Sequence, residues 1–457
     1  MYVFLCLFVC IGKFVGAQDI TGQWNGQIKL QGIQLRIVFN ITKTGEAYSS
    51  TMTSPDQSPK PVAFTNTIFE NNILTLEMPT YKIKFIGEWK DNKLVGDFEQ
   101  SSNKFPLELS REPIEKEQMK RPQEPKKPYP YRSEDITFEN KEAKVTLAGT
   151  LNMPSVGNNF PVVVLITGSG PQNRDEELLG HKPFLFIADY LTKNGIAVLR
   201  YDDRGTGKST GDFKISTSAD FEKDAQAAVD YLHTRAEINK QKIGLMGHSE
   251  GGEIAPMLAS KNKEIKFIVL LAGPGMSGSK LMLLQEEKIA KASGVSESDI
   301  QKTQQINSDV FDIVMKERDM EKMKIQIKNY LNSVKDFPEG TNADEYGKLV
   351  IQQVATPWMK YFLALDPGQF LQKVKCFVLV VNGAMDLQVP SKENLKAIQA
   401  VLEKNGNKKV TVKEYPNLNH LFQECKTGLP DEYATIEQTF SEDVIRDVLA
   451  WINGVVK

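Results

Sequence analysis

The pentapeptide Gly-His-Ser-Glu-Gly at residues 247–251 decides the fold because of the two segments that flank it. Residues 242–246, Lys-Ile-Gly-Leu-Met, form an apolar run of strand length, and residues 252–260 have the composition of a helix. A Gly-x-Ser-x-Gly between a buried strand and a helix is typical of a nucleophile elbow, a turn so tight that its serine is conformationally strained. The sequence therefore predicts Ser249 as a nucleophile at the end of a strand.

A serine hydroxyl needs a base to accept its proton, and the chain has only four histidines that could serve. His248 adjoins the serine within the elbow, so we expect its side chain to point away from it. His233 lies in a helical stretch, and His181 precedes the serine in the chain. His420 lies in a loop after the strand-like run 409–414, and it is the base that we predict.

The third residue should be a carboxylate between the serine and the histidine, in the order Ser, acid, His. Residues 375–381 form an almost continuous apolar run, as expected for a parallel strand buried on both faces. Asp386 stands just after the end of that run, where the active-site loops of open α/β sheets lie. Its predicted role is to orient His420 and to stabilise the imidazolium that forms during catalysis.

The oxyanion formed by attack on a carbonyl group needs backbone donors that are already in place. One predicted donor is the amide of Glu250, the residue after the nucleophile. The other should come from the glycine-rich loop 167–171, which follows the apolar run 161–166. By position we choose the amide of Ser169, with that of Gly168 as the alternative.

Much of the chain resembles the α/β-hydrolases of the serine aminopeptidase-like and esterase-like branch. The resemblance covers residues 134–275 and 373–457, and its motifs are Gly-Ser-Gly-Pro-Gln-Asn-Arg-Asp-Glu at 168–176, Arg-Tyr-Asp-Asp-Arg-Gly-Thr-Gly-Lys-Ser at 200–209, Gly-His-Ser-Glu-Gly-Gly at 247–252 and Gly-Ala-Met-Asp at 383–386. It implies a triad of Ser249, Asp386 and His420 that hydrolyses carboxylic esters or, in some members, amides. The fold class that we expect is α/β, with strands and helices alternating in a mostly parallel sheet covered on both faces.

Two other motif interpretations fail on spacing. Residues 205–209 look like a phosphate-binding loop, but Asp202 occupies the position where that loop needs its first glycine. Residues 168–170 begin like a dinucleotide-binding fingerprint, but Asn173 occupies its third glycine position. Cysteine and histidine pairs with metal-ligand spacing are absent from the sequence, so we predict neither a metal nor a cofactor.

Length and net charge limit the number of domains and the classes of partner that we expect. At 457 residues, the chain exceeds the usual size of one domain. Its net charge of −2 gives no field that would attract nucleic acid or anionic lipid. We expect a small-molecule ester or a short peptide as the partner, and the sequence leaves the oligomeric state open.

Residues 1–17 have the pattern of a signal peptide. The apolar stretch at 1–12 is too short to span a bilayer, and small residues at 15–17 precede an expected cleavage before Gln18. We therefore expect an exported protein, periplasmic or extracellular, without a transmembrane segment. Its remaining cysteines would be Cys376 and Cys425, for which a disulfide is conceivable but not required.

Residues 18–110 have short runs of alternating apolar and polar residues separated by turns, which predicts about eight strands in a small antiparallel β-barrel-like domain. The Gly-Gln-Trp at 22–24 resembles the opening of lipocalin-like barrels. Residues 111–133 are rich in proline and charge, and we expect them to form an extended linker between this domain and the hydrolase.

Residues 276–372 have helical periodicity and no strand-like runs, so we predict a helical cap that divides the hydrolase core into 134–275 and 373–457. Trp358 and Tyr361 are the aromatic residues that we expect to bind substrate, with Met359 and Phe362 as further candidates.

The prediction for the whole chain is a serine hydrolase that cleaves carboxylic esters through a covalent acyl-enzyme. One alternative is a serine aminopeptidase or acyl-peptidase, which would need acidic groups to hold the free amine of its substrate. An alternative of another class is a non-catalytic protein that binds a ligand in its β domain.

Overall fold

The computed structural model describes residues 19–30, 33–100, 103–115, 120–338 and 341–457. The chain divides into two compact units, Met1–Gln118 and Met119–Lys457. The predicted signal peptide lies outside the described residues. Within them, no helix is both long enough and apolar enough to cross a membrane.

The first unit is a curled antiparallel sheet that contains nine strands in the described ranges, in the order β4-β3-β2-β1-β9-β8-β7-β6-β5. Its strands are β1 Gly22–Leu30, β2 Ile33–Thr44, β3 Ala47–Ser54, β4 Ser58–Ala63, β5 Asn66–Glu70, β6 Ile73–Met78, β7 Ile83–Lys90, β8 Lys93–Gln100 and β9 Asn103–Ser110. The sheet has two edge strands, β4 and β5. The β5 edge nevertheless approaches β3, since the hydroxyls of Ser50 on β3 and Thr67 on β5 are joined by a 2.7 Å hydrogen bond. The predicted β-barrel-like character is confirmed, although the strand number differs from the expected eight.

The inside of this unit is filled by side chains. Trp24, Phe39 and Phe85 are fully buried there. The Trp24 indole N–H donates to the carbonyl of Ile20 at 2.8 Å, and the Arg111 guanidinium lies 3.9 Å from the centre of a Trp24 ring. The Gly-Gln-Trp motif therefore contributes a core anchor rather than a ligand contact.

The second unit is an eight-stranded sheet with helices, in the strand order β10-β11-β13-β12-β14-β15-β16-β17. Its strands are β10 Arg132–Asn140, β11 Val145–Met153, β12 Phe160–Ile166, β13 Ala197–Tyr201, β14 Ile238–His248, β15 Phe267–Leu271, β16 Phe377–Gly383 and β17 Val410–Tyr415. The pairs that involve β10 and β11 are antiparallel and all the others are parallel. The predicted α/β architecture is thus confirmed.

Helices cover both faces of this sheet because its central strands are apolar on both sides. The helices outside the cap region are α1 Pro183–Lys193, α2 Ser218–Thr234, α3 Gly251–Lys261, α10 Ser391–Lys404 and α11 Glu442–Val456. One buried cluster includes Ala228 of α2, Met257 of α3 and Ile398 of α10. The cluster on the other face includes Phe184 of α1 and Val448 of α11.

Between β15 and β16 the chain forms helices only, within the described residues. They are α4 Gly278–Ala292, α5 Glu297–Lys316, α6 Met320–Ser333, α7 Ala343–Val354, α8 Pro357–Ala364 and α9 Gly368–Leu371. Their buried residues, such as Val310, Met323 and Leu363, form a separate apolar cluster. The two ends of this segment meet, since the amide of Gly278 donates to the carbonyl of Leu365 at 3.0 Å.

The stretch expected to be an extended linker is partly bound to the second unit. Arg121 donates to the carbonyl of Ile436 at 3.0 Å, and the Gln123 side chain donates to the carbonyl of Phe440 at 2.9 Å. Lys182 forms a 2.7 Å ion pair with Glu124. The accepting carbonyls of Ile436 and Phe440 lie in an irregular segment, where no helix or strand partner satisfies them. Arg121 and Gln123 supply those partners, which holds this part of the expected linker against the second unit.

Candidate active site

Ser249 lies in a tight turn between β14, which ends at His248, and α3, which begins at Gly251. Its φ of 52° is in the left-handed region, which non-glycine residues rarely adopt. A Cβ atom at Gly247 would collide with the carbonyl of Gly251, and one at Gly251 would collide with that of Ile166. The two glycines therefore permit a close approach that a larger residue would prevent, and this is the geometry expected of the elbow.

Asp386 and His420 are brought together at the same edge of the sheet. Asp386 follows β16 and His420 follows β17, and the two strands are parallel neighbours. The Nδ1 atom of His420 lies 2.8 Å from Oδ2 of Asp386, with both residues buried. The other carboxylate oxygen, Oδ1, accepts hydrogen bonds from the amides of Gln388 and Val389 at 2.8 and 2.9 Å. The carboxylate is thereby fixed in a position to orient the imidazole.

The loop that contains His420 lies beside the elbow. The ring of His248, the residue before Ser249, is 4.8 Å from the ring of His420 between centroids. The Nε2 atom of His248 also lies 3.0 Å from the main-chain oxygen of His420. The three residues proposed as a triad thus follow β14, β16 and β17, parallel strands whose carboxyl ends lie along the same edge of the sheet.

The glycine-rich loop after β12 approaches the elbow, since a Cβ added at Gly168 would lie 3.3 Å from Cβ of Ser249. The amide of Gly168 already donates to Oε1 of Glu176 at 2.7 Å. Within the described ranges, neither the Ser169 amide nor the Glu250 amide donates to a protein acceptor. The Gly168 amide is thus already occupied, and the assignment of Ser169 as the donor from this loop stays a prediction.

Two aspartates after β13 support this loop. The Thr167 hydroxyl donates to Asp203 at 2.8 Å, and the amide of Gln172 donates to the same carboxyl group at 2.9 Å. Burial raises the pKa of Asp203 well above its ordinary value. Arg174 forms a two-point contact with Asp202, at 3.0 and 2.8 Å. Asp202 and Asp203, within residues 200–209, therefore brace the loop.

The side chain of Glu250 is buried, and one of its two carboxyl oxygens is held by protein contacts. Its Oε1 accepts hydrogen bonds from the Ser218 hydroxyl at 2.6 Å and from the Trp358 indole at 2.8 Å. Burial raises the pKa of this carboxyl group, although the two hydrogen bonds oppose the shift. Glu250 is thus an unsuitable group for holding a substrate amine.

The aromatic residues expected to bind substrate lie on α8 and have different surroundings. Trp358 is half-buried, reaches the elbow through Glu250, and stacks on Phe362 with 5.1 Å between ring centroids. Tyr361 is half-buried and packs against the core of the sheet. Met359 and Phe362 are buried in the cap cluster. Of the four, Trp358 is the residue that the structure connects to the elbow.

Sequence reasoning did not assign a role to the buried pair of Glu176 and His248. The Nδ1 atom of His248 lies 3.0 Å from Oε1 of Glu176. Both residues stand in the quoted motifs, at the end of 168–176 and inside 247–251, but their pairing across 72 positions has no spacing pattern that could reveal it.

The described residues contain neither a cluster of metal ligands nor a disulfide. Among the described residues, no group of three or more His, Cys, Asp or Glu side chains could hold a metal ion. Cys376 and Cys425 are both free thiols. Burial raises the pKa of Cys376 to about 12 and that of Cys425 to about 11, which disfavours thiolate chemistry at either position.

Comparison with known proteins gives a family match in this unit. The profile of the family described as serine aminopeptidase, S33, matches residues 183–424. Esterase EstD of Thermotoga maritima is 27% identical over 289 residues, which are 62% of this chain and 60% of EstD. An uncharacterized protein of Pseudomonas aeruginosa, PA2218, is 28% identical over 137 residues, which are 29% of this chain and 35% of PA2218. The chain therefore spans less than two thirds of the length of either relative.

Solved structures give matches at lower identity. The crystal structure of PA2218 has a TM-score of 0.45 at 13% identity and covers 75% of this chain and 99% of its own. The esterase Pf2001 of Pyrococcus furiosus has a TM-score of 0.42 at 17% identity and covers 71% of this chain and 93% of its own.

Proposed function

We propose that this chain, which belongs to the serine aminopeptidase S33 family, hydrolyses carboxylic esters through a covalent acyl-enzyme on Ser249. One observation carries the proposal. The buried His420–Asp386 pair, with 2.8 Å between Nδ1 and Oδ2, adjoins the strained turn that presents Ser249. The likeness to an esterase, EstD, adds support for ester substrates.

In the proposed reaction, Nε2 of His420 accepts the proton of the Ser249 hydroxyl while the serine oxygen attacks the ester carbonyl carbon. The amides of Ser169 and Glu250 donate to the oxyanion that develops. His420 then gives its proton to the leaving alcohol as the bond to the carbonyl carbon breaks. A water molecule attacks the acyl-enzyme in the same manner, which releases the acid and restores the serine. Asp386 keeps the imidazole in the required tautomer and favours its protonated form.

The surroundings of Glu250 favour esters over peptides with a free amino terminus. An aminopeptidase needs an anionic group that can pair with the substrate ammonium. Glu250 is 3% exposed, its Oε1 already accepts from Ser218 and Trp358, and burial raises the pKa of its carboxyl group, so all three features disfavour that role. The filled interior of the first unit likewise gives no support to a function as a ligand-binding barrel.

The test is active-site labelling of the purified full chain with a fluorophosphonate, together with two substrate panels. We expect labelling and hydrolysis of p-nitrophenyl acyl esters to disappear in Ser249→Ala, with turnover lowered by about 10⁶. The exposed Ser293 provides the matched control, and Ser293→Ala should behave as wild type. A preference for aminoacyl p-nitroanilides would overturn the ester assignment, and full activity of Ser249→Ala would overturn the nucleophile.

We also propose that the protein is exported, on the basis of the apolar stretch and small residues within 1–17. Amino-terminal sequencing of the protein recovered from outside the cytoplasm should begin at Gln18. Recovery in the cytoplasm with residues 1–17 intact would contradict export.

A further inference from the structure

A second carboxylate–imidazole pair lies beside the elbow and has no part in the reaction described above. His248 Nδ1 lies 3.0 Å from Glu176 Oε1, and His248 Nε2 lies 3.0 Å from the main-chain oxygen of His420. The side chains of His248 and Glu176 are 8% and 6% exposed. Both ring nitrogens therefore face acceptors in a place that water scarcely reaches.

The two contacts define the proton count of the ring. A neutral imidazole carries one N–H and can donate once, whereas the imidazolium carries two. A carboxylate and a carbonyl oxygen offer no proton to the ring, so both contacts are hydrogen bonds only when His248 is protonated. Burial opposes that charge, but the Glu176 carboxylate and the His420 carbonyl outweigh it and raise the pKa of His248.

The pair joins three segments of the site. Glu176 belongs to the segment that follows the glycine-rich loop, and its Oε1 also accepts from the Gly168 amide at 2.7 Å. His248 is the last residue of β14, and its other nitrogen contacts the main chain of His420. One buried ion pair thus connects the oxyanion loop, the elbow and the loop of the base.

We propose that Glu176 and His248 form a positioning ion pair that holds the main chain of His420 and occupies the Gly168 amide, so that Ser169 faces the oxyanion. The inference rests on the proposed hydrolysis at Ser249 and adds two positioning residues to it. Neither residue is required to touch the substrate.

The pair should give the reaction an alkaline limit. When pH rises through the raised pKa of His248, the ring keeps one N–H and must release either Glu176 or the His420 carbonyl, so activity falls. Among the described residues, the titratable groups near the pair include Asp203, which interacts with Glu176, Asp386, which interacts with His248, the His420 ring, and Tyr433, which interacts with the His420 main chain. Apolar residues such as Phe184, Leu271 and Phe422 line the remaining space.

The experiment compares the pH profiles of kcat for p-nitrophenyl ester hydrolysis in the full chain and its variants. Active sites are counted by fluorophosphonate labelling, so that only folded enzyme contributes. In Glu176→Gln the cation loses its carboxylate partner, so we expect the alkaline limb to move to lower pH and plateau kcat to fall about tenfold. His248→Gln carries an amide that does not titrate, and it should lose this limb altogether.

His233→Gln is the matched control, because His233 also lies near a carboxylate, 3.3 Å from Glu264, but on α2. Its alkaline limb should coincide with that of wild type. The inference is overturned if the alkaline limb keeps its wild-type position in Glu176→Gln, or if it persists in His248→Gln. A wild-type profile without an alkaline limb would also overturn it. If the His248 variant does not fold, Glu176→Gln decides the question. Activity that survives in Ser249→Ala would instead overturn the proposed function.

Discussion

The indole nitrogen of Trp358 lies 2.8 Å from Oε1 of Glu250, and this hydrogen bond joins helix α8 to the residue that follows Ser249. The same oxygen accepts from Ser218 on α2 at 2.6 Å. The main chain of Glu250, whose amide is a proposed oxyanion donor, is therefore held by a side chain that is anchored at two points. We therefore expect a substitution of Trp358 to weaken the donation from the Glu250 amide to the oxyanion.

We expect Trp358→Phe to lower kcat/KM for esters about tenfold, because it removes one donor from a buried acid. Phenylalanine keeps an aromatic ring that can stack on Phe362, so thermal stability should change little. Trp451→Phe is the control, because the Trp451 indole also donates a hydrogen bond, to the Thr411 hydroxyl at 3.1 Å, but lies on α11. Equal losses in the two variants would mean that the contact with Glu250 is not the cause.

Replacing Asp386 tests the orientation of the base. Asp386→Asn leaves the size of the side chain almost unchanged but presents a neutral amide to His420, which disfavours the required tautomer and the imidazolium. We expect kcat to fall about 10⁴-fold with a small change in KM. Asp212→Asn, in an exposed turn, should have wild-type kinetics. A loss of less than tenfold in Asp386→Asn would contradict the assigned role.

Glu253 is a buried acid whose Oε2 has no partner within the described residues, and burial raises its pKa well above the ordinary value. The folded protein therefore keeps a proton that the unfolded chain releases above pH 4.5. Stability consequently falls as pH rises from the unfolded pKa to the raised folded pKa.

Glutamine resembles the protonated acid and cannot ionise, so Glu253→Gln should remove this pH dependence. We expect a gain of about 1 kcal/mol in unfolding free energy at neutral pH, and almost none at acidic pH. Denaturant titrations at several pH values measure the difference. The exposed Glu264 serves as control, and a Glu264→Gln variant with the same gain would exclude burial as the cause.

The two compact units should fold independently. The apolar cluster of the first unit contains only residues of Met1–Gln118. The clusters on the two faces of the second sheet contain only residues of Met119–Lys457. Expressed separately, each unit should give its own cooperative thermal transition in calorimetry. Failure of residues 119–457 to fold alone would show that their stability depends on the first unit.

Much of the candidate site could be predicted from the sequence, because the carboxyl ends of parallel strands lie along one edge of the sheet. Ser249, Asp386 and His420 each follow an apolar run, and the order of nucleophile, acid and base limited the choice. The chain contains few histidines, which limited it further. The helical character of the cap was equally accessible, because its periodicity changes from that of the flanking strands.

The residues that brace the site could not be predicted in this way. The contact of Trp358 with Glu250 spans 108 positions, and that of His248 with Glu176 spans 72. Such pairs depend on how buried side chains pack in three dimensions. Neither the alternation of apolar and polar residues nor the spacing of motifs reveals that packing. The strand count of the first unit differed for a local reason, since β4 contains Pro59 and Pro61, and proline weakens the pattern of a strand that lies at a sheet edge.

Because the amide of Gly278 donates to the carbonyl of Leu365, the two ends of the cap lie side by side. The strands on either side of it, β15 and β16, are already parallel neighbours, so the sheet does not depend on what is inserted between them. The insert could therefore be exchanged for one of another length, by evolution or by design, without disturbing the strand ends that carry the proposed catalytic residues.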